Sequence, residues 1–185
     1  MYLFRSIIDT PIGDMLALAS DDGLCALEFT TVAGPDRGQD RLPRLNARLA
    51  RWFPPHEVVD GETGVITRAR AWLTAYFNGT AAEIGELPLD LRGAPFEKRV
   101  WTALTAIPPG QTTSYGAIAR VLAADGASRA VGAANGANPV AIIVPCHRVI
   151  GSTGSLIGYG GGLDRKTWLI DHERRWRTDA QPALF

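Results

Sequence analysis

The stretch that most constrains this chain is Asn138-Pro139-Val140-Ala141-Ile142-Ile143-Val144-Pro145-Cys146-His147-Arg148-Val149-Ile150. An apolar run bounded by prolines delivers one cysteine directly against a histidine. So hydrophobic a segment has to be interior, and Asn138-Pro139 ends any helix before it, because the residue preceding proline avoids the helical region. Apolar walls raise a thiol's pKa and make it inert, whereas a neighbouring imidazole or cation favours the nucleophilic thiolate. Cys146 is therefore either a buried structural thiol or a nucleophile in a tight pocket.

The chain has 185 residues, 46% of them hydrophobic and 21% charged. That suits one large domain or two small ones with a real core. No apolar run approaches the roughly 18 residues of a membrane span. Met1-Tyr2-Leu3-Phe4-Arg5 lacks the charged-then-apolar pattern of a signal peptide. The two cysteines, Cys25 and Cys146, are too far apart for a C-x-x-C motif. A reducing, cytoplasmic setting is expected, with no membrane association. Net charge is zero but unevenly spread: residues 1–90 carry 8 Lys and Arg against 13 Asp and Glu, residues 91–185 carry 11 against 6. The basic second half suits a polyanionic partner, or is ordinary surface charge.

Residues 3–8, 15–20 and 24–29 read as strands joined by Thr10-Pro11-Ile12-Gly13 and Asp21-Asp22-Gly23, an antiparallel meander. Cys25 falls in its third strand as core. Residues 31–40 read as a loop. Helices are expected over 42–53, from Leu42, Leu45, Leu49 and Trp52, and over 64–78, from Ile66, Ala69, Leu73, Tyr76 and Phe77. Leu87–Leu91 looks like an extended linker. The expected organisation is an N-terminal domain, 1–85, a C-terminal domain, 92–176, and a loose tail, 177–185.

The second half opens with a helix over 95–107, stopped by Pro108-Pro109-Gly110. Ser114 caps a helix through Leu122, and a third helix covers 127–136. Two short helices on a Gly-containing turn have the form of a helix-turn-helix. The later helix is nearly all Ala, Gly, Ser and Asn apart from Arg129 and Val131. It suits tight packing on another helix, or entry into a groove about 6 Å wide. Gly158-Tyr159-Gly160-Gly161-Gly162 lacks the lysine and hydroxyl of a P-loop and fits close approach of backbone NH groups to a flat ligand. Asp164 is expected to cap a last helix, 165–176, that carries Trp168, Leu169, His172 and Glu173.

These pieces together resemble the O6-alkylguanine-DNA alkyltransferase family. The signature is Pro145-Cys146-His147-Arg148-Val149 after Asn138-Pro139, supported by Thr113-Ser114-Tyr115-Gly116, Arg129-Ala130-Val131-Gly132, Gly158–Leu163 and His172-Glu173. The resemblance implies a mixed α/β fold: a ribonuclease-H-like antiparallel-sheet domain with helices, then a mostly helical domain with a helix-turn-helix. It implies direct-reversal DNA repair, in which an alkyl group moves once and irreversibly from O6 of guanine, or O4 of thymine, to Cys146 after base flipping. His147 would be the base through a water, and Glu173 its orienting carboxylate. Asn138 would be the hinge, and Tyr115 would turn the nucleotide's phosphate and assist protonation of the purine. Val149, Tyr159 and Gly160 would contact the flipped base, with the carbonyls of Cys146 and Val149 accepting from its exocyclic amine, and Lys166, near the pocket, would support the leaving guanine's charge. Ser114, Tyr115, Ala127, Ser128, Arg129, Ala130 and Gly132 would meet the minor groove of double-stranded DNA, Arg129 filling the vacated stack. A monomer that binds DNA cooperatively is expected, without cofactor. Some family members bind zinc, but Cys25 and His56 lack companion ligands, so no metal is expected. The alternative is a lesion-sensing or regulatory DNA-binding protein of the same fold.

Overall fold

The computed structural model describes residues 1–33, 42–53, 55–80 and 87–179. Most of the loop expected at 31–40, and residues 81–86 of the boundary expected near 80–92, lie outside these residues. Strands β1 (Tyr2–Ile8), β2 (Met15–Ala19) and β3 (Leu24–Phe29) form the meander, with turns where the Gly and Asp residues stand. A fourth strand, β4 (Glu57–Asp60), adds to β1 in parallel, giving the order β3-β2-β1-β4. The sheet is thus mixed, where the sequence suggested a purely antiparallel one. Glu-Val-Val-Asp is only one apolar pair long, too short to announce itself, and pairing with β1 is what makes it a strand.

Every residue of β2 and β3 is buried, so the sheet is covered on both faces. Alternation sorts the side chains by face, except at Cys25-Ala26, where a register shift opposite Leu18 and Ala19 puts two neighbours on the same face. Leu16, Leu18, Cys25 and Ala26 pack with Leu45, Leu49 and Phe53 of and beside α1 (Leu42–Trp52). Met15, Ala17, Ala19, Leu24, Leu27 and Phe29 face the main core. Helix α2 (Gly64–Phe77) joins that core through Ile66, Ala69, Leu73 and Tyr76, its Thr63 hydroxyl accepting from the Ile66 amide.

The outer edge of β3 is closed by two later segments. The amide of Leu24 donates to Pro88 O and that of Asp90 to Leu24 O. Farther along, the Leu27 amide donates to Pro139 O and the Ala141 amide to Leu27 O. The edge that would otherwise template aggregation instead fixes the start of the cysteine tract.

Helix α3 (Pro95–Thr105) begins with proline at N1 and with Glu97 accepting from the Ala94 amide at 2.7 Å. Its Trp101, fully buried, donates to Ala134 O at 2.9 Å. Two-residue strand β5 (Thr113–Ser114) leads into α4 (Tyr115–Val121), capped by the Ser114 hydroxyl on the Ala117 amide. The turn to α5 (Ser128–Gly136) holds Ala123 and Gly126 at positive φ, and α4 and α5 pack on each other. After the cysteine tract comes β6 (Val149–Ile150), parallel to β5. Helix α6 (Leu163–Asp179) closes the fold. Asp164 sits inside its first turn rather than capping it, where it still complements the helix dipole. The helix also runs past the expected end at 176, and only residues 180–185 of the expected tail remain, outside the described part.

Gly162 shows why a glycine precedes α6. Its φ is +97°, and a Cβ there would lie 1.9 Å from the carbonyl oxygen of Ala33. No other residue fits without moving the chain.

Candidate active site

The tract from Val140 to Arg148 is not a strand. The Ile143 amide donates back to Ala141 O, that of Val144 to Val140 O, and that of Cys146 to Val144 O at 2.8 Å. Pro139 and Pro145 have no NH to give a sheet ladder, so the apolar run coils into successive tight turns. Pro145, at φ −82° and ψ 63°, is the centre of an inverse γ-turn. Ile142 has φ +70°, an outlier for a β-branched residue, held because its side chain is fully buried. Cys146–Arg148 then form a single 3-10 turn.

Asn138 staples these turns. Its Nδ2 donates to Val144 O at 2.8 Å and to Val140 O at 3.4 Å, while its Oδ1 accepts from the Val140 amide at 3.1 Å. The neighbouring Asn135 of α5 donates to Cys146 O at 3.3 Å. One end of α5 is thereby tied to the cysteine turn.

Cys146 is 7% exposed, at a narrow cavity of about 30 Å³ lined also by Asn138, Tyr159, Gly160, Glu28 and Phe29, room at rest for a water or two. Burial pushes its pKa up, while the Asn138 side chain and the Lys166 charge pull it back. The resting residue is a thiol that needs a base.

Behind it, His147 is fully buried and its Nε2 lies 2.7 Å from Glu173 Oε1. Burial lowers the imidazole's pKa against the opposing pull of Glu173, so the ring is neutral. Its Nε2 proton then donates to the carboxylate, and Nδ1 is the lone-pair nitrogen. Nδ1 is buried and has no partner among the described residues. Glu173 is 1% exposed, and burial alone would raise its pKa. The hydrogen bonds from His147 and Arg148, with the charge of the guanidinium, outweigh that and hold it far below the carboxylate range. Arg148 donates from Nε to Oε2 at 2.9 Å and from Nη2 to Oε1 at 2.8 Å, and its Nη1 takes the carbonyl of Ile107. The carboxylate also accepts from the Gly110 amide at 2.9 Å and the Tyr76 hydroxyl at 2.8 Å. Glu173 is thus the hub of a buried hydrogen-bonded network, not a surface charge.

Lys166 is buried as well. Its Nζ donates to Val149 O and Ile157 O, each at 2.6 Å, and to Gly158 O at 3.3 Å. Burial lowers its pKa to about 8. The lysine therefore fastens the glycine loop to β6, and it occupies the Val149 carbonyl expected to accept from a base. Tyr115 reaches the same loop, donating to Ile157 O at 3.1 Å. Its ring lies beside Gly132, where an added Cβ would come within 3.8 Å.

Of the residues expected to meet DNA, Ser128, Arg129 and Ala130 are exposed on α5, with Ala127, Gly132 and Ser114 half-buried. Val131, Ala134 and Asn135 form the inner face. The fold brings together Cys146, His147, Glu173, Asn138, Tyr115, Tyr159, Gly160 and Lys166, and sets Arg129 apart on the outer face. Sequence reasoning gave no role to Arg148, Tyr76, Asn135, Glu28 or Phe29. A hydroxyl on the apolar stripe of α2 was the available signal for Tyr76, and a cation adjoining the Cys-His pair that for Arg148. Elsewhere, Cys25 donates to Leu18 O, and His56 bonds the carbonyl of Phe53.

The profile of the 6-O-methylguanine DNA methyltransferase family matches in two parts, its ribonuclease-like domain over residues 3–91 and its DNA binding domain over residues 95–175. The chain belongs to this family. A methylated-DNA–protein-cysteine methyltransferase of Mycolicibacterium paratuberculosis is 61% identical over 113 residues, 61% of this chain and 67% of that one. The protein of that name from Mycobacterium bovis is 53% identical over 124 residues, 67% and 74% of the two chains. The solved structure of Mycobacterium tuberculosis O6-methylguanine methyltransferase superposes with a TM-score of 0.76 at 40% identity, covering 98% of this chain and 96% of that one. A structure of the Mycobacterium tuberculosis protein in complex with DNA gives 0.73 at 40% identity, over 95% and 94%. The alkyltransferase fold thus extends over nearly all of this chain.

Proposed function

We propose that Cys146 is the acceptor in an alkyl-transfer repair of DNA, taking the alkyl group from O6 of guanine. The carrying observation is the buried pair behind the thiol, His147 Nε2 at 2.7 Å from Glu173 Oε1. A proton leaves the Cys146 sulfur through one water for Nδ1 of His147. Glu173, already ionised by Arg148, stabilises the imidazolium that results. The sulfur attacks the alkyl carbon, the carbon–O6 bond breaks with its electron pair left on the guanine, and Tyr115 supplies a hydrogen bond or proton to that base. Burial holds the Tyr115 phenol above its ordinary pKa, which suits a donor. The product is a thioether with no ready route back, so each molecule reacts once.

A stacked base cannot bring its O6 substituent to a buried thiol, so the nucleotide is flipped out. The helix pair α4–α5 acts as the helix-turn-helix. The small exposed residues of α5 approach the minor groove, with Arg129 in the vacated stack. O4 of thymine presents the same chemistry and is a second substrate. We place the functional boundary between residues 85 and 92 and read the protein as a monomer that loads cooperatively on DNA in the cytoplasm.

Intact mass after incubation with duplex DNA carrying O6-methylguanine tests the proposal. One added methyl per chain, absent in Cys146→Ser, is expected. An unchanged mass, or multiple turnover, rejects it; the unchanged mass would favour the lesion-sensing alternative.

A further inference from the structure

The carboxylate oxygen that holds the imidazole also holds a residue from the other half of the chain. Glu173 Oε1 accepts from His147 Nε2 at 2.7 Å, from Arg148 Nη2 at 2.8 Å and from the hydroxyl of Tyr76 at 2.8 Å. Tyr76 stands on α2, 97 residues away in sequence, and is 1% exposed. Its ring cannot swing. Trp72 stacks on it at 5.3 Å, Phe77 and Trp176 meet it edge-on at 5.3 and 4.9 Å, and its own backbone carbonyl is bonded to His172 Nε2 at 3.0 Å. Burial, then the charge of Glu173, pushes the phenol's pKa far up, so it always carries its proton and donates.

We propose that Tyr76 is a positioning residue through which the sheet-bearing half of the chain sets the basicity of His147. The inference rests on the reading of His147 as the base for Cys146. Each donor on Oε1 takes up part of the carboxylate's negative charge, and what remains is what stabilises the imidazolium. With the hydroxyl removed, Glu173 holds a proton on His147 more tightly, and the imidazole becomes a cation at higher pH. Of the other groups facing His147, Arg148 beside it is a fixed cation and Lys166 from α6 is a cation up to about pH 8, and both oppose its protonation; Tyr159 lies edge-on at 6.5 Å, and Cys146 adjoins it as a thiol. None of them moves when Tyr76 loses its hydroxyl. A tyrosine that merely filled space would not need its oxygen on the atom that holds the imidazole.

The test compares wild type, Tyr76→Phe and Phe77→Leu as full chains. Single-turnover methyl transfer from duplex O6-methylguanine is followed between pH 5.5 and 9, with a thermal melt of each. Phenylalanine keeps the aromatic packing and deletes only the donor; Phe77→Leu loosens the same cluster and leaves Glu173 untouched. The acid limb of Tyr76→Phe is expected to move up by about one pH unit. Its rate would then be about tenfold below wild type near pH 6 and converge with it toward pH 9. Phe77→Leu should run parallel to wild type. A Tyr76→Phe profile parallel to wild type, or a shift reproduced by Phe77→Leu, overturns the role of Tyr76. A wild type that gains no methyl overturns instead the repair reading beneath it.

Discussion

Replacing Arg148 with methionine isolates the energetics of the buried network. The substitution keeps length and apolar bulk and removes the guanidinium, which makes three contacts of 2.8 to 3.2 Å with Glu173 and one with the carbonyl of Ile107. Glu173, 1% exposed, would stay buried without its permanent cation. Breaking a buried pair from one side costs about 3–5 kcal/mol. Tyr76, Gly110 and His147 still donate to the carboxylate, so the lower end, about 3 kcal/mol, is expected. With a urea slope of about 2 kcal/mol/M the midpoint falls by about 1.5 M. The sign with pH also follows. The folded-state pKa of Glu173 is depressed, so its contribution is complete above the unfolded value of about 4.3 and fades as pH drops toward the folded value. Methionine relieves that depression, so the gap between variant and wild type should narrow below about pH 4. Urea unfolding at pH 7 and at pH 3.5 reads both effects. A loss under about 1 kcal/mol, the size of an exposed pair, or a gap that does not change with pH, would refute the reasoning. Asp60→Asn, which breaks the exposed pair with Arg5, serves as the control and should leave the midpoint in place.

Two further outcomes follow from the site. Lys166→Met should free the carbonyls of Ile157 and Gly158, destabilise the chain by about 2–3 kcal/mol and speed amide exchange across residues 157–162. Because the folded pKa of Lys166, about 8, lies below its unfolded value of about 10.4, wild type should also gain stability relative to the variant as pH rises between those values; parallel curves would count against the burial argument. Arg129→Ala should slow transfer from duplex DNA by about tenfold or more while leaving the melting temperature and the reaction with free O6-benzylguanine unchanged, since Arg129 is exposed and remote from Cys146; equal slowing of both substrates would place it in the pocket instead.

Periodicity located β1–β3, α1, α2 and the helices of the second half because each carries its own apolar face. The bonded trio of Cys146, His147 and Glu173 came from the resemblance to the alkyltransferase family, since Glu173 stands 26 residues from His147 and nothing local links them. Turn chemistry at Asn138-Pro139 marked the joint that the asparagine amide makes. The apolar faces and the Asn138-Pro139 joint are written in spacings of one to four residues, which one sequence displays directly.

What the sequence left open depends on partners far along the chain. Val140–Pro145 read only as an interior apolar run and became coiled turns, because only its start finds the free edge of β3 and its prolines cannot extend a ladder. Glu57–Asp60 became a strand only by lying on β1. Lys166 was expected near the pocket to support the leaving base's charge, and the structure adds that its ammonium is surrounded by carbonyls of residues 149, 157 and 158. Above all, the convergence of Tyr76, Gly110, His147 and Arg148 on one carboxylate spans nearly a hundred residues. Local propensity fixes which residues share a face, but a buried charge takes whichever donors the packed helices bring within about 3 Å, and that choice belongs to the tertiary structure.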